Sequence, residues 1–165
     1  MTAPLVFVLS GPNLNRLGTR EPEVYGSDTL DDVHSAVSRE AGALGLLADC
    51  RQTNNEGEMI DWLHEAVDAG ADVVINPGAW THYSYAVRDA CAIVTTSGRS
   101  LVEVHLSNPA SREDFRQTSV VAPVATAYLG PNGSVRRGRA GPAGRTATRS
   151  RRPCPSRRAP PPRCA

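Results

Sequence analysis

Apolar and amphipathic stretches alternate along the first 130 residues of the chain. Five short, relatively apolar segments predict strands at residues 6–10, 46–51, 72–75, 100–105 and 125–129, and the first is apolar enough to be buried on both faces. Between them, apolar residues recur every three or four positions. This spacing predicts helices at 58–69 and 85–93, and an earlier one capped by Ser27 or Asp28 and ended by Gly45. Such alternation is typical of a parallel α/β sheet with right-handed crossovers.

This pattern stops near residue 130. Residues 131–165 are rich in arginine, proline, alanine and glycine, and such a segment cannot bury enough apolar surface to fold. We therefore predict a folded domain at 1–130 and a disordered tail at 131–165. The formal charge changes at the same point: residues 1–130 carry −9 (17 acids and eight arginines), and residues 131–165 carry +10 (ten arginines and no acid). The abrupt change resembles translation of GC-rich DNA in a shifted frame.

Composition excludes several classes of protein. The 165 residues suffice for one domain with a core, and no apolar run or leader indicates a membrane span or export, which favours a soluble cytoplasmic protein. The four cysteines show neither C-x-x-C nor metal-ligand spacing, which favours a reducing compartment. The chain has no lysine, so catalysis through a lysine imine is excluded.

Polar side chains with catalytic potential follow three of the predicted strands, where open parallel sheets bind their ligands. Arg20 and Tyr25 follow the first strand, and an arginine can stabilise the phenolate that makes tyrosine a base near neutral pH. The alternative is a surface loop with an ion pair to Glu21 or Glu23. At the fourth strand His105 lies two positions after a glutamate, so both side chains face the same way. Together these loops offer the parts of an acid–base reaction.

Competing motifs are weak. The glycines around residues 11–18 match neither the dinucleotide-binding pattern nor a P-loop, so no nucleotide cofactor and no flavodoxin-like carrier role is indicated. The four histidines are too scattered to indicate a zinc site. Ser107 lacks the glycines of a nucleophile elbow and is expected to form hydrogen bonds instead.

Taken together, the loops resemble those of the type II 3-dehydroquinate dehydratases. The matching motifs run in order through residues 5–129: GPNLN-x-LG-x-REP from Gly11, YG from Tyr25, RQ-x₃-EG from Arg51, NPGA-x-TH-x-S from Asn76, RDA from Arg88, EVHLSN from Glu103 and RE-x-FR from Arg112. The resemblance implies a flavodoxin-like three-layer sandwich around a five-stranded parallel sheet, assembled as a dodecamer (a tetramer of trimers). It also implies dehydration of 3-dehydroquinate to 3-dehydroshikimate in the shikimate pathway, without metal or cofactor.

The same resemblance assigns roles to the five catalytic candidates. Tyr25, as phenolate, would remove a proton from the carbon next to the ketone, and Arg20 would keep it ionised. Asn13 would hold a water that stabilises the resulting enolate. His105 would protonate the departing hydroxyl, oriented by Glu103.

Six further residues would bind the substrate. The backbone at Leu106 and Ser107 would receive its carboxylate, and Asn76, His82 and Arg116 would bind its hydroxyls. Asp89 would reach in from a neighbouring subunit, and the loop at 14–25 would close as a lid.

The chain departs from the family at its end. The family continues after the fifth strand with a final amphipathic helix, which the arginine- and proline-rich segment replaces here. We therefore expect one face of the sheet to lose part of its cover and stability to fall. The alternative function is an inactive dehydratase-like fragment whose basic tail binds nucleic acid, although ten arginines without aromatic neighbours give only salt-sensitive attraction.

Overall fold

A single sheet organises the chain, as seen in a computed structural model that describes residues 2–19, 27–106, 113–130 and, for the backbone, 135–137. Its strands are β1 (Leu5–Ser10), β2 (Leu47–Gln52), β3 (Asp72–Asn76), β4 (Leu101–Val104), β5 (Ala127–Leu129) and β6 (Val135–Arg137). They lie in the order β2-β1-β3-β4-β5-β6, and the first five are parallel. The predicted five-stranded parallel α/β sheet is thus confirmed.

Three helices connect the strands: α1 (Leu30–Ala43), α2 (Glu56–Asp68) and α3 (Tyr85–Thr96). Helices α2 and α3 cover one face, where Phe7, Leu9 and Ile75 are buried against Met59 and Val87. Helix α1 lies on the other face over β2, where Ser38 contacts Cys50. No helix in the described ranges is long and apolar enough to cross a membrane.

The face that carries α1 is only partly covered. Val6 and Val8 on β1, Val74 on β3, and Val102 and Val104 on β4 are half-buried, whereas the residues alternating with them are buried. The prediction that β1 is buried on both faces is therefore wrong, because the cover of this second face is incomplete. The sequence analysis expected one face of the sheet to lose part of its cover, and residues 138–165 lie outside the described residues.

Two local predictions also need correction. Helix α1 is capped by Thr29 instead of Ser27 or Asp28, because Thr29 and Asp32 form a reciprocal capping box. Residues 135–137, inside the predicted disordered tail, form β6 and pair with β5 in antiparallel register. A sheet edge offers unpaired backbone groups, so this pairing requires no apolar periodicity in the added segment.

Candidate active site

The loops that follow β1 and β3 pack directly against each other. Gly11 N–H donates to the carbonyl oxygen of Asn76 over 2.8 Å. A Cβ on Gly11 would lie 2.8 Å from the backbone of Pro77, so only glycine fits there. The two loops are thus held backbone to backbone at the carboxyl ends of their strands, as the sequence predicted.

Asn13, on the first of these loops, adopts a left-handed backbone conformation with φ 66°. Its N–H donates to Asn54 Oδ1 over 2.8 Å, and its carbonyl accepts the N–H of Arg16 over 3.0 Å. Asn13 is exposed to solvent. The backbone of Asn13 is therefore fixed on both sides, while the residue remains exposed.

The loop after β3 contributes Asn76 and His82. Asn76 is buried, and its Oδ1 accepts the N–H of Gly78 over 3.2 Å. His82 Nδ1 lies 2.7 Å from the carbonyl oxygen of Thr118, and Phe115 packs edge-on against its ring. Because a carbonyl only accepts, Nδ1 carries the proton and Nε2 of the neutral ring is left as an acceptor.

A buried carboxylate lies at the end of β4. Glu103 has no exposed surface, and its Oε1 lies 2.7 Å from His105 Nε2 and accepts the Thr81 hydroxyl over 2.5 Å. Ser119 Oγ lies 3.2 Å from Oε2 and accepts the N–H of Ala122. An isolated buried charge would be very costly, so these partners are what make a carboxylate tolerable here.

His105 is held from several sides. The backbone N–H of His105 donates to the carbonyl of Leu129 over 3.0 Å, and its ring centroid lies 5.5 Å from that of Tyr128. With Nε2–H donating to Glu103, the neutral ring keeps its lone pair on Nδ1. The predicted adjacency of Glu103 and His105 is confirmed, and the arrangement can give and take one proton.

Cys91 also lies near this carboxylate. Burial, followed by the charge of Glu103, raises the pKa of the Cys91 thiol to about 12. A thiol of that pKa stays protonated at neutral pH and is a poor nucleophile.

In the described part of the chain, no group of three or more His, Cys, Asp or Glu side chains has the geometry to hold a metal ion.

The remaining predicted residues are less closely assembled. Arg116 Nε donates to Glu113 over 2.7 Å, and its guanidinium lies 4.8 Å from the Phe115 ring centroid, beside His82. Leu106 is exposed. Among the described residues, the Asp89 carboxylate bonds to Arg88 and to none of the other predicted site residues. Arg20, Tyr25 and Ser107 lie outside the described residues.

Sequence reasoning missed several polar partners of the site. Thr81 and Ser119 contact Glu103, and Gln52 and Asn54 contact the loop that carries Asn13. Gln52 is the last residue of β2 and Asn54 follows it, so the rule that identified the other loops also applied to this one. No local pattern marks Ser119, because its approach to Glu103 depends on how the segment before β5 folds back.

Comparisons with known proteins agree with this geometry. The family model described as "Dehydroquinase class II" matches residues 4–134. The 3-dehydroquinate dehydratases of Halalkalibacterium halodurans and Kineococcus radiotolerans are each 56% identical over 124 residues, covering 75% of this chain and 83% of theirs.

Solved structures give the same result. The type II dehydroquinase from Propionibacterium acnes has a TM-score of 0.75 and 42% identity, covering 80% of this chain and 89% of its own. The type II dehydroquinase from Butyrivibrio crossotus DSM 2876 has a TM-score of 0.76 and 40% identity, and the match covers 81% of this chain and 91% of that one. The chain therefore belongs to the class II dehydroquinases, a family of type II hydro-lyases.

Proposed function

We propose that this chain catalyses the reversible dehydration of 3-dehydroquinate to 3-dehydroshikimate through an enolate, in the shikimate pathway. The observation that supports this most is the buried Glu103 bonded to His105 beside the loops of Asn13 and His82. This arrangement supplies an acid at the carboxyl ends of the strands. The absence of lysine leaves the enolate route open and the imine route closed.

The reaction begins with removal of a proton from the carbon next to the ketone. Tyr25 is the proposed base, acting as phenolate, and Arg20 is the proposed cation that keeps it ionised. The bond between carbon and hydrogen breaks, and its electron pair moves into the enolate. Asn13 holds the water that donates to the enolate oxygen.

His105 completes the dehydration. The protonated ring gives its proton to the departing hydroxyl, which leaves as water while the enolate collapses to the conjugated enone. Glu103 keeps the ring oriented and balances its charge throughout. Before the next turnover Tyr25 releases to solvent the proton that it removed from the substrate, and the imidazole takes up a proton, so both groups return to their starting states.

Substrate recognition surrounds this centre. In our proposal, Asn76, His82 and Arg116 bind the hydroxyls, and the backbone at Leu106 and Ser107 binds the carboxylate. Asp89, which is exposed here, acts in the site of a neighbouring subunit within a dodecamer built as a tetramer of trimers. The free thiols of Cys50 and Cys91 support a reducing location, and we propose the cytoplasm.

The role of Tyr25 is tested by Tyr25→Phe, with Tyr85→Phe as its matched control. Product formation is followed as the ultraviolet absorbance of the conjugated enone. We expect Tyr25→Phe to lose about 10³-fold or more in kcat because no other phenolate is available as base. The exposed Tyr85 should be replaceable with kcat unchanged within about twofold. Equal rates for both variants would contradict the proposed base.

A further inference from the structure

We propose that Asn54, supported by Gln52, is a positioning residue that sets the orientation of Asn13 for catalysis. This inference rests on the proposed function, because it concerns the residue that holds the enolate-stabilising water. It adds a contribution from the loop after β2 to a site otherwise built on the loops after β1, β3 and β4.

The backbone of Asn13 needs external support. A left-handed conformation is unfavourable for any residue with a Cβ, although asparagine tolerates it better than most. The conformation fixes where the Cβ points, and hence where the amide group can reach. The hydrogen bond from Asn13 N–H to Asn54 Oδ1, at 2.8 Å, links two loops that are 41 positions apart in sequence.

Asn54 is itself held in place. Gln52 Nε2 lies 3.2 Å from Asn54 Oδ1 and 3.3 Å from the carbonyl oxygen of Gly11, so its two hydrogens can serve both acceptors. Two donors therefore converge on Asn54 Oδ1, which keeps the oxygen of this amide toward Asn13. Gln52, the last residue of β2, thus joins Asn54 to the start of the turn at residues 11–13, and Asn54 contacts its end.

The neighbouring Asn55 offers a matched control. It has the same side chain and is also exposed, but its Oδ1 accepts the N–H of Gly57 and caps helix α2. Replacing either asparagine by alanine removes one side-chain acceptor from a backbone N–H. Only Asn54 is connected to Asn13, so only Asn54 should affect the chemical step.

The experiment compares kcat and KM for 3-dehydroquinate in the full chain and five variants: Asn54→Ala, Asn54→Asp, Asn55→Ala, Asn13→Gly and the double variant Asn13→Gly/Asn54→Ala. Removing an oxyanion donor typically costs about 10²–10³-fold in kcat, which we expect for Asn13→Gly. Glycine adopts the left-handed conformation without strain, so this variant keeps the turn.

We expect Asn54→Ala to lower kcat by about tenfold with KM changed less than about twofold, because misplacement of Asn13 weakens transition-state stabilisation. Asn54→Asp keeps an oxygen acceptor and should restore kcat to within about threefold of the wild type. Asn55→Ala should lower Tm by about 2–4 °C without lowering kcat. The double variant should be no slower than Asn13→Gly, because both changes act through one residue.

Three results would overturn the inference, the first two without touching the proposed function. If the wild type turns over the substrate but Asn54→Ala and Asn55→Ala have equal kcat values, the positioning role is wrong while the proposed function stands. The same holds if the losses of Asn13→Gly and Asn54→Ala multiply in the double variant. A wild-type chain without turnover would instead remove the proposed function and the positioning role with it.

Discussion

Glu103 shows what a single residue adds to this site. Its carboxylate has no exposed surface, yet it bonds to His105 and to the hydroxyl of Thr81. A buried ion pair is weak support for stability, because a well-packed apolar replacement is often as stable or more so. In the proposed mechanism its value is therefore chemical: it would fix the tautomer of His105 and balance the charge of the ring when that ring acts as the acid.

The adjacency of Glu103 and His105 could be predicted from sequence because side chains two positions apart on a strand share a face. The contacts of Thr81 and Ser119 could not, because both residues reach Glu103 from loops distant in sequence. Local patterns contain no information on that approach.

Cys91 gives a pH dependence at the residue scale. Its pKa is about 12 in the folded chain, whereas an unfolded thiol ionises near ~8.5. Folding thus favours the protonated thiol, and this contribution to stability is complete below about pH 8.5 and is lost as pH rises from there towards about 12. The chain has no lysine, and the other side chains that titrate in this range, its tyrosines and remaining cysteines, are the same in the wild type and in a Cys91 variant.

We therefore expect Cys91→Ala to weaken the dependence of stability on pH. The free energy of unfolding, measured by urea denaturation, should fall less between about pH 9 and about pH 11 in the variant than in the wild type. The comparison uses the slope of unfolding free energy against pH, because the small cavity left by alanine lowers stability by the same amount at every pH. Parallel slopes would show that folding does not raise the pKa of Cys91.

At the scale of elements, strands and helices follow from the sequence because their apolar periods differ. The three helices and five parallel strands lie where these periods predict them, with ends shifted by a few residues. The caps depend on individual hydrogen bonds: Thr29 and Asn55 set the starts of α1 and α2. Strand β6 was missed because it depends on a partner strand and has no pattern of its own.

The junction between the loops after β1 and β3 gives an element-scale prediction. In Gly11→Ala the new Cβ would meet the Pro77 backbone at 2.8 Å, so the loops that carry Asn13 and His82 would have to move apart. We expect a loss of about 1–3 kcal/mol in stability, measured by chemical denaturation, together with reduced kcat/KM.

Gly42→Ala is the matched control for this change. Gly42 lies inside helix α1, and a Cβ there would meet nothing within 4 Å. Alanine favours helix more than glycine, so this variant should gain about 0.5–1 kcal/mol and keep its activity. If Gly11→Ala matched this control in stability and turnover, the close packing of the two loops would not matter to the site.

For the molecule as a whole, one face of the sheet is only partly covered. Val74, Val102 and Val104 are half-buried on the face that carries α1. Each Å² of apolar area that stays uncovered loses roughly 25 cal/mol of stabilising free energy. The total stability of a domain is only about 5–15 kcal/mol. We therefore expect low stability in a chain that contains every candidate catalytic residue.

Two truncations measure what the end of the chain contributes. A chain ending at Arg137 retains β6 and its pairing with β5, whereas one ending at Leu129 exposes the edge of β5. We expect the first to melt within about 2 °C of the full chain and the second to melt at least about 4 °C lower. Equal melting of all three chains would show that β6 does not stabilise the fold.

The central claim is that a base first forms an enolate and that His105 then expels the hydroxyl. Proton NMR of 3-dehydroquinate in D₂O follows both steps at once, as deuterium enters the carbon next to the ketone and as the enone forms. We predict that His105→Asn loses about 10²–10⁴-fold in enone formation but still exchanges that proton. Enone formation by His105→Asn at the wild-type rate, or the absence of both steps in the wild type, would contradict the account.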